Sequence, residues 1–167
     1  MIAVAAVVAA LIVVRGNGFP TNGEPGAAKG TAFPDLSVTD ADGATTSTSS
    51  LTGKPTLVWF AVSSCPDVDG LRRIAALDEE SGGRALRILI VFLDQRSGRS
   101  TLDAWRDAFG RPEWLIAPDR DGAVSAAAGV RMPETKFLLD EHAMIVDQTS
   151  SLVDDTYLSL LRNQAHA

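Results

Sequence analysis

Leu57-Val58-Trp59-Phe60-Ala61-Val62-Ser63-Ser64-Cys65-Pro66-Asp67-Val68-Asp69-Gly70-Leu71 is the stretch on which the reading of the chain turns. It opens with a run of aliphatic and aromatic residues, the pattern of a strand covered on both faces, and the run breaks at two serines, the one cysteine and a proline. Proline is preferred at the first helical position, where its missing N–H costs nothing, so the sequence predicts a helix opening at Pro66. A thiol at such a strand-to-helix junction meets unpaired amides and the positive end of the helix dipole. Both favour the thiolate and pull its pKa below the free value of about 8.5. A lone cysteine is also a common small core residue, and that packed alternative stays open at this point.

Working outward, Ser50 to Pro55 is a turn feeding a central strand over Thr56 to Ala61. The helix after Cys65 is predicted to reach about Glu80, with Val68, Leu71, Ile74 and Ala75 on one face. Arg72, Arg73, Asp78, Glu79 and Glu80 face solvent in this reading, and Gly82-Gly83 ends the helix. Leu86 to Leu93 reads as a second buried strand. Strand, helix and strand make a βαβ unit with Cys65 at the carboxyl edge, where open α/β sheets hold their sites. Downstream, Ser100 with Asp103 resembles a capping box for a helix turning Leu102, Trp105, Ala108 and Phe109 inward. Trp114 to Ala117 is a short strand, and Asp119 to Gly122 turns into an Ala-rich helix ending at Gly129. Phe137 to Leu139 and Met144 to Val146 form two further strands. Asp154 or Asp155 caps a last helix carrying Tyr157, Leu158, Leu160 and Leu161. Upstream, Phe33 to Val38 and Thr45 to Thr48 flank Asp42-Gly43, the signal of a hairpin.

With 167 residues, 46% hydrophobic and 22% charged, the chain suits one domain plus a terminal extension. A net charge of -6 with no basic cluster argues against nucleic acid or anionic lipid as partner. One cysteine excludes an intrachain disulfide, and with two histidines it falls short of a zinc site of the usual kind; no cofactor is expected. Asp119-x-Asp121-Gly122 lacks the spacing and closing acid of a calcium loop. Met1 to Val14 is unbroken Ala, Val, Ile and Leu. At about 1.5 Å per residue such a run reaches roughly 21 Å, between a signal core and a membrane span. The expectation is an N-terminal anchor or export signal over residues 1–14, a flexible linker over 15–31 and a domain over 32–163. That places the domain at the cell membrane on its extracytoplasmic side, or secreted.

In this order and spacing the pieces resemble the membrane-anchored thioredoxin-like proteins of the TlpA, ResA and DsbE type, within the redoxin family. The matching residues are Phe33-Pro34-Asp35-Leu36 with Asp42-Gly43, Leu51-x-Gly53-Lys54-Pro55, and Phe60 five residues before Cys65. Asp119 to Gly122, Gly129-Val130, Pro133-Glu134-Thr135 and Phe137-Leu138-Leu139-Asp140 follow in sequence. The resemblance implies an α/β thioredoxin-like fold, a mixed central sheet flanked by helices, with an N-terminal β-hairpin. It implies Cys65 as catalytic nucleophile and Pro133 as a cis-proline that, with Met132, borders the groove for a thiol- or disulfide-bearing partner protein. The departure is Val68, which stands where the family has its second cysteine, so a mixed disulfide on Cys65 waits for an external thiolate. Lys136 is one residue extra before Phe137. Cys65-Pro66-Asp67-Val68-Asp69 also resembles the site of Sco-type copper chaperones, which implies an alternative copper site of Cys65, Asp69 and Met132. A catalytically degenerate interaction domain is the third alternative.

Overall fold

The computed structural model describes residues 27–40, 42–64, 67–83, 86–94, 98–109, 111 and 113–166; the proposed anchor, most of the linker, and Cys65 with Pro66 lie outside them. Strands β1 (Ser37–Thr39) and β2 (Thr45–Ser47) form the expected antiparallel hairpin, with Gly43 at φ 87° in its turn. A 3-10 turn over Thr48–Leu51 leads into β3 (Thr56–Ala61), all six residues of which are buried. Then come α1 (Val68–Glu80), β4 (Arg87–Phe92), α2 (Arg99–Phe109), β5 (Leu115–Pro118) and α3 (Ala123–Ala127). The chain closes with β6 (Thr135–Leu139), β7 (Ile145–Thr149) and α4 (Asp155–Ala165).

The main sheet runs β5-β4-β3-β6-β7. β3, β4 and β5 are parallel neighbours, while β6 is antiparallel to both β3 and β7, so the sheet is mixed. Alternate side chains of each strand enter opposite cores. Leu57, Trp59, Ile88, Ile90, Phe92 and Leu138 pack with Leu71 and Ile74 of α1, Leu102 and Trp105 of α2, and Leu158 and Leu161 of α4. Val58, Phe60, Leu89, Val91, Phe137 and Leu139 face the other way, onto Phe33, Leu36, Val38 and Leu51 of the N-terminal segment. Both faces are therefore covered, and a polar side chain on a central strand lies in the interior. Gly30 and Thr31, read as linker, are already paired with Ile145 at the start of β7.

Several local expectations change. The helix begins at Val68 and not at Pro66, because Asp67 is its N-cap and accepts the Gly70 amide at 3.0 Å. Val68 is 37% exposed. Asp78, assigned to solvent, is buried because Trp114 Nε1 donates to its carboxylate at 2.9 Å. Ser100 lies inside α2, whose first amides, Thr101 and Leu102, go to the Gly98 carbonyl, and Ala108 is exposed.

Candidate functional site

The carboxyl ends of β3, β4 and β5, the amino end of β6 and the carboxyl end of β7 share one edge of the sheet, as their registers require. The loop leaving β3 is fastened there on both sides of Cys65. Before it, the Ser63 amide donates to Asp94 Oδ2 at 2.6 Å, and Trp105 Nε1 donates to the Ser63 carbonyl at 3.2 Å. After it, the buried Asp67 accepts Gly70 N with Oδ1, and Val153 N with Oδ2 at 2.9 Å. Only a glycine fits at position 70, where a Cβ would stand 2.5 Å from the Asp67 carboxylate.

Beneath that loop lies a buried charged cluster. Lys136 of β6 is 0% exposed, and its Nζ is 3.8 Å from Asp67 Oδ2. The same ammonium donates to the carbonyls of Glu134, at 3.1 Å, and Ser151, at 2.9 Å, and stands 4.3 Å from the centre of the Trp59 ring. Trp59 Nε1 donates to Glu134 Oε2 at 2.9 Å. One cation thus joins β3, the start of α1, the turn before β6 and the β7–α4 connection. In a low-dielectric interior such a group is tolerated only with charge and hydrogen-bond partners of this kind.

Met132 and Pro133 lie at this edge in the turn that enters β6, and both are exposed, Met132 to 61%. No peptide bond among the described residues is cis, so Pro133 is trans, against the expectation from the family pattern. Pro133 is followed by Glu134 at φ 63°, and Thr135 Oγ1 donates to the Met132 carbonyl at 2.7 Å, which closes the turn. Of the alternative copper site, Cys65 lies outside the described residues, so that ligand set is not assembled here. Asp69 points outward from α1, paired with Arg72 at 3.1 Å. His142 is on the surface, as read from the sequence.

Comparison with known proteins now adds a lineage. The family model for redoxin matches residues 28–155. The chain belongs to the redoxin family. Its thioredoxin-like fold recurs in a solution structure named as a thioredoxin from Neisseria meningitidis: 25% identity, TM-score 0.69, covering 83% of this chain and 91% of that one. A thioredoxin-family thiol:disulfide interchange protein from Chlorobium tepidum aligns at TM-score 0.67 and 16% identity, over 84% of this chain and 99% of that one. The thioredoxin domain of a thiol-disulfide oxidoreductase from Bacteroides vulgatus gives TM-score 0.66 and 18% identity, over 81% and 96%. No curated protein matches the sequence. The chain is thus a redoxin with the thioredoxin-like fold of thiol-disulfide oxidoreductases and a single cysteine.

Sequence reading located this edge of the sheet and the turn at Met132-Pro133. It missed the Asp67–Lys136 pair. The predicted strand began at Phe137, one residue after Lys136, so the lysine was not placed inside the sheet, where β6 starts at Thr135.

Proposed function

We propose that this redoxin exchanges disulfides with a partner protein through Cys65 alone. The Cys65 thiolate attacks one sulfur of a partner disulfide, the new S–S bond forms, and the partner's second sulfur leaves as a thiolate. With Val68 in place of a second cysteine, the mixed disulfide is released only when an external thiolate attacks it and takes over one of its sulfurs. The observation that supports this most is the pinned loop: α1 starts at Val68, so the amino end of a 13-residue helix follows Cys65 directly, and a buried lysine sits beneath its cap. The helix amino end is a source of positive potential, which lowers a thiol pKa, while the lysine, paired with Asp67, holds the cap in place. The exposed Met132-Pro133 turn borders the groove for the partner in this proposal. The apolar run at residues 1–14 anchors the domain on the extracytoplasmic side of the membrane, where partners carry disulfides.

The test is the alkylation rate of the native protein with iodoacetamide from pH 5 to 10. A half-maximal rate below the free-thiol value of about 8.5 is expected. Titration at or above that value, or no reaction in the folded protein, refutes the activated thiol.

A further inference from the structure

A cleft of about 380 Å³ opens between β7 and the start of α4. Asp147, Ser151, Leu152, Asp154 and Tyr157 line it, and none of its lining residues is Lys or Arg. Neither Asp147 nor Asp154 has an ion-pair partner among the described residues. The nearby Arg73 is held by Asp155 and by the Val153 carbonyl. Tyr157 in the same wall is 7% exposed, and its hydroxyl, buried with the ring, has no hydrogen-bond partner among the described residues. Burial, and then the Asp147 charge, push its pKa upward, so the hydroxyl stays neutral. The cleft also continues into the site described above. Ser151 gives its carbonyl to Lys136, Val153 gives its amide to Asp67, and between them Leu152 lies 62% exposed.

We propose that the cleft receives a lysine or arginine side chain of the partner protein, carried on the segment beside the cysteine that reacts with Cys65. The proposal rests on the exchange reading and adds the partner's chemistry to it. Two carboxylates without counter-ions attract a cation, and the unpaired phenol oxygen accepts a hydrogen bond from it. The exposed Leu152 adds an apolar contact at the rim of the cleft. Arg131, exposed beside Met132, disfavours a cation at that turn and gives the docked segment a direction.

The probes are short capped peptides with one cysteine, as the mixed disulfide with 5-thio-2-nitrobenzoate, carrying Lys or Glu at each of the four following positions. Cys65 attacks the peptide sulfur, and the coloured thiolate leaves. At low salt the Lys series is expected to react faster by about fivefold at its best position, the size of one well-placed surface ion pair. That ratio is expected to fall to near one in the double variant Asp147→Asn/Asp154→Asn, which keeps the α4 cap because asparagine serves as an N-cap as well as aspartate does. It is expected to persist in Asp69→Asn. Equal rates for the two series, or a ratio unchanged in the double variant, overturn the proposal. A second arm is independent of exchange: the Lys peptide with Ser for Cys is titrated into the full chain carrying Cys65→Ser. Amide shifts confined to β7 and α4 support the cleft even if Cys65 proves inert, and their absence overturns it even if Cys65 exchanges well.

Discussion

Replacing Lys136 by Met tests the cluster that holds the site together. The lysine and Asp67 are 3.8 Å apart, with side chains 0% and 6% exposed, so water does not take over the lost partner. Removing one member of a buried pair costs about 3–5 kcal/mol, because the remaining charge keeps its desolvation penalty. The carbonyls of Glu134 and Ser151 lose a donor as well, and the ammonium's place over Trp59 is empty. Against a total stability of about 5–15 kcal/mol, this is a large fraction. Urea unfolding followed by tryptophan fluorescence reads it as a midpoint shift with an unchanged slope. Asp67→Asn keeps the helix cap and leaves the ammonium facing a neutral amide. In the double variant Lys136→Met/Asp67→Asn the loss is expected to be smaller than the sum of the single losses, with a coupling of more than about 1 kcal/mol. A Lys136→Met protein within about 1 kcal/mol of wild type, or a cycle whose losses simply add, refutes the assignment of this pair as the clamp of the Cys65 loop.

Gly70→Ala pushes a methyl against the Asp67 carboxylate and is expected to cost about 1–3 kcal/mol, whereas Gly98→Ala, with open space around it, is expected to cost less than about 1 kcal/mol; thermal unfolding separates them. Tyr157 is the only tyrosine, so absorbance near 295 nm reports it alone, and no phenolate is expected in the folded protein at pH 10. Since its folded pKa lies above the unfolded value of 10.0, the unfolded chain releases this proton first, and stability falls as pH rises past about 10; Tyr157→Phe is expected to remove that slope. For Asp35 the sign is opposite: hydrogen bonds from Ser47 and then Ser49 lower its pKa from 3.8, so its contribution is present above that pH and disappears on acidification. Asp35→Asn is expected to narrow the stability difference between pH 7 and pH 3, measured by denaturant midpoints.

How much of this was legible follows from what each signal measures. Periodicity reports burial, so β3 came out residue for residue and β4 and the last helix nearly so, since apolar runs and caps mark them directly, whereas the first hairpin strand, expected over Phe33 to Val38, is Ser37–Thr39. The helix start after Cys65 was misplaced because Pro66 and Asp67 both carry N-terminal signals. The structure chooses Asp67, whose carboxylate accepts the Gly70 amide, a bond that proline cannot supply. Asp78 was assigned to solvent and the pairing of Lys136 was not foreseen, because each meets a partner from a distant part of the chain, Trp114 in one case and Asp67 in the other. Such pairings are set by the sheet order, and no local window contains them. The trans Pro133 was not legible either, because tertiary context sets the isomer of an X-Pro bond. Phe137 is fixed in the core against Phe33 and Phe60, and the chain before it turns at Glu134, which stands at φ 63°. Lys136 both holds a position in β6 opposite Trp59 and supplies the cation beneath Asp67, so Lys136→Met keeps the strand length while removing the clamp. A Lys136→Met variant that folds but loses Cys65 reactivity assigns the effect to the cation, because no residue is removed from the strand; unaltered reactivity refutes that role.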